Sequence, residues 1–362
     1  QLLTDTRLPV ADVAVLSGFA SVRRFNAVFV QHYRLQPTAL RKSTSSPSYS
    51  SPASPAKVVG ALRDLAPEAA AFRFQAAYRP PFNVQHLLDF FANRAIAGVE
   101  SVDAAKGLIR RSISLPHKGT MRRGWVEAQW AEDQHRVQLR ISESLACALP
   151  VVLNRIRAWL DLDADPAAMD PMLCPDFAGT EGIRVPGTLD GLELAVRAIL
   201  GQQITVKAAR TLTARLVDHC GIPLARAPEG LERCFPDAAT LATLSPDALG
   251  RLGIVKQRQQ AIQSLAHAVQ SGALHLQPGG DVAATMAQLQ SLPGIGTWTA
   301  HYIALRALRW PDAFPSGDVA LQSALGVREA NNPAAAAEAL SQRWRPWRGY
   351  ATVRAWQSLS KT

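Results

Sequence analysis

The stretch LPGIGTWTAHYIALRALRWPDAFPSGDVAL, Leu292 to Leu321, decides how the rest of the chain is read. It breaks a helical apolar pattern with the segment LPGIG, resumes it at TWTAHYIAL, and then sets a lone carboxylate, Asp318, after a Pro/Gly-rich loop. Pro293 restricts entry into the break, while Gly294 and Gly296 permit backbone conformations and close approaches that a side chain would block. The helix beginning at Thr297 opens with backbone N–H groups that no preceding turn satisfies and with the positive end of its dipole, a seat for a phosphate. Two helices joined in this way could hold a nucleic-acid strand by its backbone, a contact that carries no sequence information. The same text also suits an ordinary turn between two helices, and Asp318 stands where N-cap aspartates commonly stand.

Downstream of Thr188 nearly everything is helical. The spacing predicts helices over 188–200, 203–219, 237–243, 246–252, 256–271, 281–291, 297–308, 317–325 and 333–344, and a last one near 350–359. Short connections make this a compact all-α bundle, assigned to residues 186–362. Residues 69–185 form an α+β unit: FRFQAAY alternates like a strand, FNVQHLLDFFANRAI is an amphipathic helix, and SISLPHKGTMRRGWVEAQWAEDQHRVQLRI reads as antiparallel strands around turns. Leu149 to Leu160 is a further helix, followed by an Asp- and Pro-rich connector. Residues 43–68, starting STSSPSYSSPASPAK, read as a flexible linker with too little apolar surface to fold. Within 1–42, PVADVAVLSG and SVRRFNAVFVQHY form a helix, a glycine turn and a basic helix with Ser21 as N-cap, a helix-turn-helix pattern.

Bulk properties fit this division. A length of 362 residues and 48% hydrophobic content allow two or three globular domains. No run of about 18 uncharged apolar residues occurs, so no membrane span is expected. There is no signal segment, and a start at Gln1 inside helical text suggests a fragment of something longer. The formal charge of +10 and pI near 9.9 favour a polyanionic partner, or else an arginine-rich surface with no such role. The four cysteines, Cys147, Cys174, Cys220 and Cys234, form no CxxC pair and no metal-ligand spacing, which suits reduced thiols in a cytoplasmic protein.

Two resemblances sharpen the reading. GFASVRRFNAVFVQHYRLQPTALRK resembles the second helix-turn-helix of AraC-type regulators, with Gly18, Phe19, Ser21, Phe25, Phe29, Pro37 and Arg41 in place and departures at Ala27 and Arg34. Such readers use two units, so this one is partial. From Ala71 to the C-terminus the chain resembles the helix-hairpin-helix base-excision glycosylases, and among them the 3-methyladenine DNA glycosylase II family. The match is carried by RPPFNVQHLLDFFANRAIAGVE, VRAILGQQITVKAARTLTARL, the opening stretch and RWRPWRGYATVRAW. The fold so implied is mainly α: a helix-hairpin-helix glycosylase bundle preceded by a small antiparallel-sheet domain and, at the N-terminus, the partial helix-turn-helix known from fusions of adaptive-response regulators to such glycosylases.

The resemblance implies site residues as well. Asp318 aligns with the family's catalytic aspartate. Trp298, Tyr302, Trp356 and Phe90 fall in base-pocket positions, and Trp298 and Tyr302, four apart on one helix, share a face. Gly294, Gly296, Thr297 and Thr299 match the DNA-gripping hairpin. Gln203 stands where a family member inserts a leucine into the helix, and Val319 where it has a tyrosine. The carbonyls of Gln290, Leu292 and Ile295 match positions that hold a structural cation in related enzymes; no cofactor is required. Bifunctional members carry a lysine nucleophile where this chain has Trp298, so the implied enzyme is monofunctional. Adenine-mismatch members carry an iron–sulfur cluster after the bundle, and no cysteine follows Cys234 here. The implied partner is double-stranded DNA with alkylated bases such as 3-methyladenine and 7-methylguanine, met by a cytoplasmic monomer. Such bases are cationic and leave readily, so their removal needs aromatic faces and one anion more than an acid pair. Two rivals stay open: a non-catalytic DNA-binding regulator in which Asp318 is only a cap, and a glycosylase for oxidised bases, which Trp298 disfavours.

Overall fold

Alternating inward residues make β1 (Ala71–Ala77) the edge of a five-stranded antiparallel sheet, with Phe74 and Ala76 on its buried face. A computed structural model describes residues 10–16, 21–33, 36–38 and 71–359 of the chain. In the sheet β1 is followed in space by β5 (Arg136–Ser142), β4 (Thr120–Ala131), β3 (Leu108–His117) and β2 (Glu100–Asp103). Lys118 and Gly119 turn β3 into β4 with positive φ at both positions, 49° and 76°, which lets a two-residue hairpin follow the strand twist.

α3 (Val84–Ala92) starts at Asn83, whose side chain accepts the His86 N–H at 3.0 Å, and puts Leu87, Leu88 and Phe91 into the core beneath the sheet. α4 (Leu149–Leu160) packs there too, with Phe91 and Trp159 ring centroids 5.6 Å apart. Upstream, α1 (Val10–Leu16) and α2 (Val22–Tyr33) form the expected helical pair, and Ser21 Oγ accepts the Arg24 N–H at 3.2 Å as the predicted cap. Gly18, Phe19, Arg34, Arg41 and the 43–68 segment lie outside the described residues.

Further along the described residues come α5 (Pro166–Leu173), α6 (Gly191–Leu200), α7 (Val206–Cys220), α8 (Ala238–Thr243), α9 (Pro246–Arg251), α10 (Lys256–Gln270), α11 (Val282–Ser291), α12 (Thr297–Arg306), α13 (Val319–Ala324), α14 (Pro333–Ser341) and α15 (Arg348–Leu359). α6 is buried along almost its whole length and is the bundle's centre. The predicted 203–219 helix starts three residues later, because Thr205 caps α7 by accepting the Ala208 N–H at 3.2 Å.

Three features escape the sequence reading. The connector after Leu160 contains α5, a short helix with Pro171 inside it and so no clear apolar stripe. β2 is missed because its four residues, ESVD, show no apolar alternation. The segment between α7 and α8 forms a two-stranded ribbon, β6 (Ile222–Pro223) with β7 (Arg233–Cys234), laid against the sheet. Trp125 Nε1 donates to the Arg226 carbonyl at 3.2 Å, and Cys234 Sγ lies 3.5 Å from the Ile113 carbonyl.

A buried ion cluster joins sheet to bundle. Arg111 from β3 pairs with Glu100 from β2 at 3.3 Å and with Glu193 from α6, and Arg197 one turn on meets Glu193 at 3.0 Å and Glu100 at 3.6 Å. Burial alone would push the Glu193 carboxyl up, but the Arg111 and Arg197 charges outweigh it and hold the group below the usual range.

Candidate active site

The hairpin closes through local hydrogen bonds, Leu292 N–H to the Leu289 carbonyl at 3.1 Å and Ile295 N–H to the Leu292 carbonyl at 3.3 Å. Its two glycines do different work. Gly294 has φ +78°, and a Cβ there would stand 3.0 Å from the Ala261 Cβ, so both the turn and the packing on α10 require glycine. Gly296 has open space around the position of its absent side chain and leads into α12, which has no side-chain cap. Its exposed start, with Thr297 beside it, leaves first-turn amides for an outside acceptor.

Thr299 faces the other way. It is 2% exposed, and its Oγ1 accepts Gln202 Nε2 at 3.0 Å. The same amide donates to the Gly294 carbonyl at 2.9 Å, while Arg258 donates to the Gln202 carbonyl. The GQQIT loop is thereby latched to the hairpin, and Gln203 projects at its exposed tip with φ +55°. Thr299 thus supports the loop from inside and does not reach the outer face on which the resemblance places a DNA contact.

Asp318 is the N-cap of α13, its Oδ1 accepting the Leu321 N–H at 2.7 Å. The cap is only part of its bonding. Trp356 Nε1 donates to Oδ1 at 3.1 Å, and Trp298 Nε1 donates to Oδ2 at 2.7 Å. The carboxylate lies in the wall of an open cleft of about 410 Å³ between α6, α7, α12, α13 and α15. Trp298 stacks on Tyr302 with centroids 5.4 Å apart and planes 17° apart, and Tyr302 meets Trp356 at 6.2 Å and 48°. These three rings and Asp318 all line the cleft, whereas Phe90, 8% exposed, does not. Two guanidinium groups cover it, Arg94 at 3.8 Å and Arg306 at 4.7 Å from the ring centroid.

Those arginines are not among the residues that the sequence singles out. Arg94, Arg197 and Arg306 all line the cleft. Arg306 donates to the Tyr302 hydroxyl at 2.5 Å and to the Pro186 carbonyl at 2.7 Å. Burial lowers its pKa to about 10, opposed by Tyr302 and reinforced by Arg94. Burial likewise raises Tyr302, but the charges of Arg306, Arg94 and Arg197 bring its hydroxyl below the ordinary tyrosine value. Arg197 is matched by the buried glutamates, whereas Arg94 and Arg306 have no carboxylate within ion-pair distance among the described residues. The available signal was spacing, since Arg94 and Arg306 each lie four residues beyond a predicted pocket aromatic, Phe90 and Tyr302, Arg306 on the same helix and Arg94 just past the end of α3.

Among the described residues no group of three or more His, Cys, Asp or Glu side chains is placed to hold a metal, and no helix is long and apolar enough to cross a membrane.

Residues 73–190 match the AlkA N-terminal domain, and residues 196–348 match the HhH-GPD superfamily base excision DNA repair proteins. The chain belongs to this family of helix-hairpin-helix DNA glycosylases. Across 99% of its length it is 36% identical to a probable bifunctional transcriptional activator/DNA repair enzyme AlkA of Mycobacterium tuberculosis, covering 68% of that protein. It is 34% identical to DNA-3-methyladenine glycosylase 2 of Escherichia coli, over 77% of this chain and 95% of that one. The 3-methyladenine DNA-glycosylase structure from Archaeoglobus fulgidus superposes with a TM-score of 0.62 at 20% identity, covering 78% of this chain and 96% of that one. The structure of MBOgg1 in complex with a low-affinity DNA ligand gives 0.60 at 15% identity, covering 80% of this chain and 96% of that one; both show a shared fold.

Proposed function

We propose that this chain is a monofunctional DNA glycosylase that flips alkylated bases, 3-methyladenine and 7-methylguanine among them, out of double-stranded DNA and hydrolyses their N-glycosidic bonds. The observation that carries the reading is Asp318, held by donors on both carboxylate oxygens in the wall of an aromatic cleft. A helix cap needs one oxygen.

The hairpin amides beyond Gly296 take a DNA phosphate, and the latched loop presents Gln203 to fill the space left by the extruded base. Gln203 is polar where an apolar wedge would serve by shape alone, so it also hydrogen-bonds the orphaned partner base. The flipped base stacks against the rings of Tyr302 and Trp356. Asp318 faces the sugar as a negative charge, stabilises the cation that develops there as the C1′–N bond breaks, and accepts a proton from the water that then adds at C1′. A cationic base loses its charge on leaving, so the repulsion from Arg94 and Arg306 is relieved in the same step that Asp318 begins to attract. With Trp298 two residues past Gly296, no amine stands there to form a Schiff base.

A hairpin cation would have only the backbone oxygens of Gln290, Leu292 and Ile295, a hard-cation set of which the Leu292 carbonyl already accepts the Ile295 N–H. Its part would be to bridge to phosphate. Residues 1–42 are read as a partial DNA-reading unit, 43–68 as a linker, and 69–185 and 186–362 as the two halves of the enzyme, working as a cytoplasmic monomer.

The test is mass-spectrometric identification of bases released from methylated duplex DNA, with strand integrity followed alongside. Released methylpurines with uncut abasic strands are expected. Strand cleavage trapped by borohydride, or release of oxidised bases alone, overturns the reading.

A further inference from the structure

We infer that Trp298 and Trp356 are positioning residues for Asp318, their indole N–H groups fixing the plane of its carboxylate toward the sugar. The inference rests on the glycosylase reading and assigns these rings a task apart from stacking.

Asp318 as a plain cap would be fixed at Oδ1 by the Leu321 N–H alone and free to turn about its last bond. Instead Trp298 reaches Oδ2 from α12, and Trp356 reaches Oδ1 from α15. Three donors from three helices thus define one carboxylate orientation, and an indole N–H can only donate, so it supports an acceptor and never competes with it. Such pairing is not automatic in this chain. The buried indole nitrogens of Trp130 and Trp159 have no partner among the described residues, whereas both cleft indoles converge on one carboxylate.

Ring geometry separates the two tasks. Trp298 and Tyr302 stack at 5.4 Å and 17°, too close to admit a base between them, because a sandwiched ring needs about 7 Å between its neighbours. Trp298 is therefore one wall of an already closed stack, and its edge, carrying the N–H, is what points at Asp318. Oδ2 has no other hydrogen-bond donor among the described residues. Losing that N–H frees one carboxylate oxygen while leaving the aromatic wall in place.

The experiment replaces Trp298 with 3-benzothienylalanine, which keeps the bicyclic face and exchanges N–H for sulfur. Two duplexes serve as probes, one with a cationic pyrrolidine abasic nucleotide and one with neutral tetrahydrofuran. Neither carries a base at that site, so stacking cannot enter. The preference for pyrrolidine over tetrahydrofuran should fall about tenfold, the scale of one hydrogen bond to a charged group, while tetrahydrofuran binding stays constant. Single-turnover excision of 7-methylguanine should fall by a similar factor, and in an Asp318→Asn background the same replacement should change neither quantity more than about twofold. An unchanged pyrrolidine preference overturns the inference. Failure of the wild type to release methylpurines overturns the glycosylase reading instead, and the preference ratio still decides the positioning role.

Discussion

Replacing Asp318 by asparagine separates its helix cap from the catalytic task proposed for it. Asparagine caps helices about as well as aspartate, so its oxygen keeps the Leu321 N–H. Oδ1 receives two donors and Oδ2 one, so the amide oxygen takes the Oδ1 position and its NH₂ group faces the Trp298 N–H across 2.7 Å. Two donors facing one another cost about 1–3 kcal/mol if no water intervenes, and less because the residue is half-exposed. The stability loss should therefore be about 1 kcal/mol. Catalysis should suffer far more. A unit negative charge about 4 Å from a developing sugar cation, at an effective dielectric of about 20, contributes about 4 kcal/mol, or roughly a thousandfold in rate. Asp318→Ala should be as inactive but less stable than the asparagine variant, since it loses the cap as well. Urea unfolding of the three proteins gives the stabilities, and single-turnover release of 7-methylguanine gives the rates. If Asp318→Asn retains more than about a tenth of wild-type excision, the carboxylate is only a cap and the catalytic reading fails.

Other perturbations test the scaffold. Glu193→Gln leaves Arg111 and Arg197 sharing Glu100, and should cost about 3–5 kcal/mol in urea unfolding at neutral pH. Because the folded Glu193 carboxyl is held below its usual value, its contribution is present above the unfolded value of about 4.3 and fades as pH falls through the lower folded one; the variant should lose that part of the acid dependence of stability. Gln202→Ala removes both bonds latching the GQQIT loop to the hairpin, so KM for lesion-bearing duplex should rise several-fold with kcat nearly unchanged; an equal fall in kcat would place Gln202 in the chemistry. Gly294→Ala forces a side chain into φ +78° against Ala261 and should cost about 1–3 kcal/mol, measured by thermal unfolding.

What could be read in the sequence was what is local. The hairpin announces itself through proline and glycine punctuation, and the bundle helices through apolar stripes that survive burial. α5 and β2 are too short to show a period, and the ribbon at 222–234 is placed by contacts with Trp125 and Ile113, far away in the chain. Cleft chemistry divides in the same way. That Trp298 and Tyr302 share a face follows from their spacing, and the same spacing continued one turn would have reached Arg306, but its burial and lack of a carboxylate partner depend on segments distant in sequence. Phe90 shows the converse: a position that resemblance assigns to the pocket is covered here by Arg94 and Arg306. Asp318 posed a choice between cap and catalyst because sequence treats a carboxylate as one object. In the fold it has two oxygens, so the two readings are compatible: the Leu321 N–H takes one for the helix, Trp298 donates to the other, and the catalytic task proposed for this residue does not require it to give up the cap.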